Sequence, residues 1–351
     1  MVERRAGGAF NPLPLGHYPT PVQHLPTLSC PGSEIWAKRD DLTNPTYGGN
    51  KVRKLEWLLA DVQRRAQTRI VTVGAVGSHH VLATTYFGRR LGLEVEAILV
   101  PQPRTAHADE VLRAGLALGL QAYSVRSWAA VVPALVWRVS CGARYLPLGG
   151  SSAVGAQGYV NAARELASQV RRGELPEPDV CVVALGSGGT AAGLAAGFEI
   201  EGLRTRVVGV CVSEPAWALR AASHWLARTC ARHLGIRGVR AASARLVADS
   251  RFLGAGYGHE TADGHAAAAL ARDVDLMLDP TYTAKAFACA LWYVRARRAA
   301  RILYWHTLSR ASVPQASSAG AGDGAGTGTG TETETETGTQ AAPLEGSRQG
   351  A

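Results

Sequence analysis

The stretch KRDDLTNPTYGGNKVRKLE, residues 38–56, decides how the chain is read. It holds Lys38, Lys51 and Lys54, and only Lys285 lies elsewhere; with Lys and Arg together at 37, the other 33 basic residues are arginines. A guanidinium keeps its proton in a protein, whereas an ammonium can lose one, so only lysine can attack a carbonyl carbon to form a Schiff base. A lysine on a loop before a helix is ordinarily a solvated surface group. Here Gly48 and Gly49 allow a backbone course closed to other residues and a close approach to a ligand. Asn50 reads as an N-cap, and Val52, Leu55, Leu58, Leu59 and Val62 follow at helical spacing. Lys51 is thereby placed at a helix N-terminus, whose positive dipole end favours the free amine. The stretch implies an imine-forming lysine.

On either side the chain alternates strand and helix patterns. Residues 1–37 are Pro-rich and end in the strand-like Glu34–Ala37. Arg69–Val76, Val95–Val100 and Gln121–Val125 read as buried strands, with helices over Val81–Leu91 and Ala108–Leu118 between them. After Gly149-Gly150 a helix begins near Gly158 and runs through Glu165 and Val170. Val180–Leu185, Val207–Val212 and Ile302–Trp305 supply strands of a second αβ unit, and Ala191–Ala196 is an apolar helix. This order predicts doubly wound open sheets. From Val313 onward Gly, Ala, Ser, Thr and a Thr-Glu alternation replace the pattern, which reads as a disordered tail.

Open α/β sheets bind ligands at the carboxyl ends of their strands. Two loops fall there. Gly77-Ser78-His79-His80 follows the strand 69–76, and its bland reading is a turn capped by Ser78. Gly186-Ser187-Gly188-Gly189-Thr190 lies between a strand and a helix, where exposed backbone N–H groups make a phosphate cradle. A dinucleotide site is the alternative, but no G-x-G-x-x-G follows the first strand. Further blocks are Gly256-Tyr257-Gly258, Asp279-Pro280-Thr281-Tyr282-Thr283-Ala284-Lys285 and His306-Thr307-Leu308-Ser309. A loop tyrosine is more often core or rim than catalytic.

KRDDL, GGNK and RKLE, taken with these blocks, resemble fold-type II pyridoxal-phosphate (PLP) enzymes, and within them the D-cysteine desulfhydrase and 1-aminocyclopropane-1-carboxylate (ACC) deaminase family. The likeness runs from Leu15 to Thr307 in scattered blocks. It implies an α/β fold of two open twisted sheets flanked by helices, tryptophan synthase beta-like. The implied division is 1–50 and 161–312 for a large PLP domain, 51–160 for a small α/β domain and 313–351 for the tail. Lys51 would carry PLP as a Schiff base and later act as base at the substrate's α-carbon, with Asn50 also at the cofactor. Gly186, Ser187, Gly188, Gly189 and Thr190 would hold the phosphate. Thr307 would face the pyridine nitrogen as a neutral partner, which favours elimination over long-lived carbanion chemistry. Ser78 and Tyr257 would bind the substrate carboxylate, and Tyr282 would lie against the reacting face. Lys285 reads as structural.

Three positions depart from the family pattern. His79 stands where the family has an Asn on the cofactor's phenolic oxygen, and Leu308 and Ser309 replace two glycines. Thr283 stands where ACC deaminases carry Glu, which tilts the reading toward the desulfhydrase branch. The expected reaction is β-elimination from D-cysteine to pyruvate, sulfide and ammonia. ACC ring opening to 2-oxobutyrate and ammonia, a related amino-acid lyase, and a PLP-binding protein without turnover are the alternatives.

Composition fits this class. Hydrophobic residues make up 46% and charged residues 19%, as in soluble globular proteins. The net charge is +9, and because the tail carries Asp323, Glu332, Glu334, Glu336 and Glu345 against Arg348, the body is more basic still. A basic body suits anionic ligands, here a phosphate cofactor and a small amino-acid substrate. No nucleic-acid motif and no apolar run of membrane-spanning length is present, so neither partner is expected. Cys30, Cys141, Cys181, Cys211, Cys230 and Cys289 form no C-x-x-C pair and read as free thiols in a reducing compartment. A cytoplasmic homodimer is expected.

Overall fold

A computed structural model of the chain describes residues 10–103, 105–213, 215–235 and 239–311. The tail reading, 313–351, lies outside the described residues. In chain order the first elements are β1 (Val22–His24), β2 (Glu34–Arg39), α1 (Asn50–Arg64), β3 (Arg69–Ala75), α2 (His79–Arg90), β4 (Glu94–Val100) and α3 (Ala106–Ala117). Next come β5 (Gln121–Ser124), α4 (Val131–Ser140), β6 (Arg144–Leu146), α5 (Ala153–Arg171), β7 (Val180–Leu185), α6 (Gly189–Ile200), β8 (Arg206–Cys211) and α7 (Ala216–His233). The last are α8 (Val239–Ala244), β9 (Leu246–Asp249), α9 (Ala262–Arg272), α10 (Thr283–Arg295) and β10 (Arg301–His306).

The strands form two sheets, ordered β1-β2-β10-β7-β8-β9 and β5-β4-β3-β6. All pairs are parallel except β1 with β2. Parallel strands covered by helices on both faces are apolar throughout. In β7 and β10, Val180, Val182, Ile302 and Tyr304 point to the layer holding Phe287 and Leu291 of α10. Their neighbours Cys181, Val183, Leu303 and Trp305 point the other way, to Tyr159 and Leu166 of α5 and Leu194 and Phe198 of α6. The period of two puts successive residues into opposite cores. Val52, Leu55, Leu58, Leu59 and Val62 of α1 are buried with Ile70, Val95, Ala97 and Leu99 of the smaller sheet.

Several boundaries differ from the expected ones. The helix expected to begin near Gly158 starts at Ala153, because Ser152 Oγ accepts from Gly155 N at 3.1 Å and caps it earlier. Likewise α2 starts at His79, capped by Ser78, two residues before the apolar run begins. Of the cysteines, all free, four are buried, whereas Cys30 is partly exposed and Cys141 exposed. Among the described residues no helix is long and apolar enough to cross a membrane.

Gly158 lets α5 press against α1. A Cβ there would stand 1.9 Å from the Arg53 carbonyl oxygen, a backbone atom that cannot rotate away. Gly158→Ala must push the helices apart, and we predict a loss of about 1–3 kcal/mol of stability. Denaturant unfolding of the two proteins checks this; equal midpoints would show that the contact yields without cost.

Candidate active site

The carboxyl ends of β3, β7 and β10 open onto one cleft of about 790 Å³, a size that suits a cofactor with a small substrate. Lys51, Asn50, Ser78, His79, Gly186, Ser187, Gly188, Gly189, Thr190, Tyr257, Tyr282 and Thr307 all line it. These residues are far apart in sequence, and the sheet order brings them together.

Lys51 sits in the first turn of α1, and its Nζ donates to Asn50 Oδ1 at 2.8 Å. Burial pushes its pKa down to about 8, against the opposing pull of the Asp279 carboxylate. Desolvation is thus the leading cause of the shift. The expected N-cap is displaced by one residue: Gly49, at φ 89°, takes the cap position and Asn50 opens the helix. A side chain at Gly49 would be strained at that φ, and its Cβ would meet Thr307 O at 2.7 Å. Asn50, released from capping, ties three loops together. Its Nδ2 donates to Thr190 Oγ1 at 3.3 Å, its N–H to Thr307 O at 3.0 Å, and its Oδ1 receives Lys51.

The glycine loop enters α6 through Gly188 at φ 88°, an N-cap with no side chain of its own to offer the first turn. Ser151 Oγ accepts from Gly189 N at 2.9 Å and shares a hydrogen bond of 2.7 Å with Ser187 Oγ. Lys54, missed in the reading of the sequence, closes this corner. Its spacing of three from Lys51 was the available signal, since i and i+3 share a helix face. Lys54 is 2% exposed, and among the described residues its one hydrogen bond is to Gly149 O at 3.0 Å. Its Nζ lies 3.1 Å from where a Cβ on Gly189 would stand. Burial, then the charge of Lys51, push its pKa well down. An amine cornered beside a helix N-terminus whose cap residue is glycine is set to gain from an anion. The corner therefore fits the phosphate of PLP, with Lys51 one turn away for its aldehyde.

Two phenols face this corner. Tyr282 OH donates to Tyr257 OH at 2.8 Å, with the rings edge-on at 81°. Burial raises both pKa values, so both stay protonated at neutral pH. Because Tyr257 accepts from Tyr282, its own proton remains available. Asp279 Oδ1 accepts from the N–H groups of Thr281 and Tyr282, and Oδ2 from Thr283 N and Thr283 Oγ1. Thr283 is thus tied down, and the sequence reading had passed over Asp279.

On the opposite wall Ser78 Oγ accepts from Val81 N at 3.4 Å, which leaves its proton free. His79 is held at both nitrogens, Nδ1 by Tyr47 OH and Nε2 by His107 Nε2, each at 2.9 Å. Burial pushes its pKa down to about 4, so the ring is neutral. Ser309 Oγ accepts from Gly48 N at 3.0 Å and braces the lysine loop. Leu308 lines the floor beside it.

The family model described as pyridoxal-phosphate dependent enzyme matches residues 13–307. The chain is 36% identical over 283 residues to a D-cysteine desulfhydrase of Klebsiella pneumoniae, covering 77% of this chain and 84% of that one. A D-cysteine desulfhydrase of Salmonella schwarzengrund is 37% identical over 285 residues, with the same coverage. Among solved structures, an ACC deaminase homologue superposes with a TM-score of 0.73 at 30% identity, over 85% of this chain and 92% of that one. Threonine deaminase isoform 2 of Solanum lycopersicum shares the fold, with a TM-score of 0.59 at 17% identity. A matched segment that runs from before β1 to just past β10, and so takes in both sheets and every cleft-lining residue but Leu308 and Ser309, makes the chain a member of the fold-type II PLP-dependent enzymes, in the D-cysteine desulfhydrase and ACC deaminase family.

Proposed function

We propose that the chain catalyses β-elimination from D-cysteine, giving pyruvate, sulfide and ammonia. The observation that carries this reading is a lysine amine with a pKa near 8 in a cleft shared with a protonated phenol pair. The names of the relatives support the substrate. PLP, when bound, supplies the aldehyde for the amine and the electron sink for the carbanionic charge. Lys51 would hold the cofactor through its amine, and its Nζ, when free, would take the substrate's α-proton. Lys54 and the Gly186–Thr190 loop would hold the phosphate. Thr307 would stand beside the cofactor's ring nitrogen as a neutral partner. Ser78 and Tyr257 donate their free protons to the substrate carboxylate, and Tyr282 keeps Tyr257 oriented. The Cβ–S bond then breaks with both electrons going to sulfur, which leaves as sulfide, and water hydrolyses the released enamine acid to pyruvate and ammonia.

ACC ring opening is the second reading, favoured by the solved ACC deaminase homologue. Thr283 argues against it: its hydroxyl is committed to Asp279 at 2.6 Å and offers no carboxylate to the cleft. The reading also includes a cytoplasmic homodimer, which light scattering on the purified protein checks.

The site generates three tests. Sulfide release from a panel of small D- and L-amino acids should be greatest with D-cysteine, and Lys51→Ala should lose both the release and the visible absorbance of the bound cofactor. Release of 2-oxobutyrate from ACC, with no sulfide from any substrate, would sink the elimination.

The second concerns pH. Below its pKa the Lys51 ammonium has no lone pair, and above it the amine is free. Capture of added PLP by the cofactor-free protein should therefore rise through about pH 8. An ordinary lysine would place that rise near pH 10.4. A midpoint there would mean that the amine is solvated.

Lys54→Met should weaken PLP retention by roughly tenfold or more, the scale of one charge-assisted hydrogen bond. Equilibrium dialysis measures it; unchanged retention would remove Lys54 from the phosphate corner.

A further inference from the structure

Lys285 belongs to neither the phosphate corner nor the amine of the cleft, and its surroundings are unusual for a lysine. It sits in the first turn of α10, three residues after Tyr282, and is fully buried. Its Nζ donates to two backbone carbonyls, Leu253 O at 2.8 Å and Gly256 O at 3.0 Å. Among the described residues no carboxylate forms an ion pair with it, and an ammonium without a counter-ion is costly to bury. Asp279 supplies only a distant attraction that partly offsets this cost.

The two carbonyls belong to the loop that carries Tyr257. That loop is neither helix nor strand between Ser250 and Glu260, and its own backbone hydrogen bonds are turn contacts of 3.2 to 3.4 Å. The Gly256 carbonyl is in the peptide bond that leads into Tyr257. The ammonium therefore fixes the loop at the point from which the phenol springs. On the other side, the Asp279 carboxylate fixes the N–H groups of Thr281, Tyr282 and Thr283 and so sets Tyr282. One helix end thus places both phenols, and the 2.8 Å hydrogen bond between them is the result.

We propose that Lys285 is a positioning residue for the elimination, clamping the Leu253–Gly256 turn so that Tyr257 meets the substrate carboxylate. The proposal rests on the reading of Tyr257 as a carboxylate-binding phenol. The relation is one-directional: Lys285 touches neither substrate nor cofactor, and acts through the loop alone. Its ammonium is suited to this because three donors on a flexible stem can satisfy two carbonyls at once, which no apolar residue can do.

A double-mutant cycle on the holoenzyme tests it, with wild type, Lys285→Met, Tyr257→Phe and the double variant assayed for sulfide release. Lys285→Met is expected to raise KM by about tenfold with a smaller effect on kcat, and to change kcat/KM by less than about twofold in the Tyr257→Phe background. Such non-additivity is not produced by a general loss of stability. If the two effects multiply independently, Lys285 is merely structural and the proposal falls. If Tyr257→Phe alone leaves kcat/KM unchanged while Lys285→Met still lowers it, the phenol reading fails first and takes the proposal with it. Should Lys285→Met not fold, Lys285→Gln, which keeps two N–H donors on a shorter stem, carries the same cycle with the same two outcomes.

Discussion

The buried carboxylate of Asp40 is the constraint on which the site depends. Its Oδ1 accepts from Thr20 Oγ1 at 3.2 Å and from Arg53 Nε and Nη2 at 3.0 and 2.8 Å. Its Oδ2 accepts from Tyr159 OH and Trp305 Nε1, each at 2.7 Å. These donors come from the segment before β1, from α1, from α5 and from β10. A fully buried carboxylate is tolerable only with such a complement of partners, and each partner is in turn fixed by it. The backbone carbonyl of the same residue accepts from Gly49 N at 2.9 Å. Asp40 therefore holds the chain just before Lys51 with its carbonyl and just after it, at Arg53, with its carboxylate. The amine is suspended between two points of one residue.

Around this centre the charges are paired in a way that leaves the cleft to neutral donors. Lys38 is fully buried and spends its ammonium on Glu165, Gln169 Oε1 and Thr20 O. Burial alone would raise the Glu165 carboxyl, but Arg53 and Lys38 hold its pKa down at about 2. Arg39 is spent on Asp41. Beside the Asp279 carboxylate, the cleft is faced by groups whose burial favours the uncharged form: the amines of Lys51 and Lys54, the phenols of Tyr257 and Tyr282, and the ring of His79. An anion entering this cleft meets donors that have little other solvation to lose, which strengthens each hydrogen bond it makes.

How much of this was legible in the sequence follows from which interactions are local. The apolar runs at 69–76 and 180–185 declared themselves because a strand buried on both faces needs an unbroken run of apolar residues. The lysine segment and the glycine loop declared themselves because backbone geometry demands particular residues at fixed spacing. The short edge strands β1 and β9, the three-residue β6 and the helices α4 and α7 to α10 carry no such demand and were not assigned. Capping decided two helix starts against hydrophobic spacing, since Ser78 and Ser152 act before the first apolar residue of their helices. Lys54, Asp279 and His107 were missed for a different reason. Lys54 and His107 gain their meaning from a residue on another element, Gly149 or His79, a pairing no periodicity encodes, whereas Asp279 works within its own turn on the N–H of Tyr282.

His79 shows what a substitution inside a fixed frame does. A neutral imidazole has one N–H and one lone pair. Tyr47 OH takes one nitrogen and His107 the other, so neither is left to reach a third atom without giving up a partner. The ring is therefore part of the wall, held across α2 and α3, and not a mobile donor. Among the donors of the cleft, the hydroxyl protons of Ser78 and Tyr257 remain free. Ser309 makes the same point from below: where a glycine would leave Gly48 N unmet, its hydroxyl receives that N–H and stiffens the approach to the lysine. Both departures exchange freedom for fixed hydrogen bonds around one amine. They tighten the same frame that Asp40 holds from the core, so that the geometry at Lys51 is set from three sides before any ligand arrives.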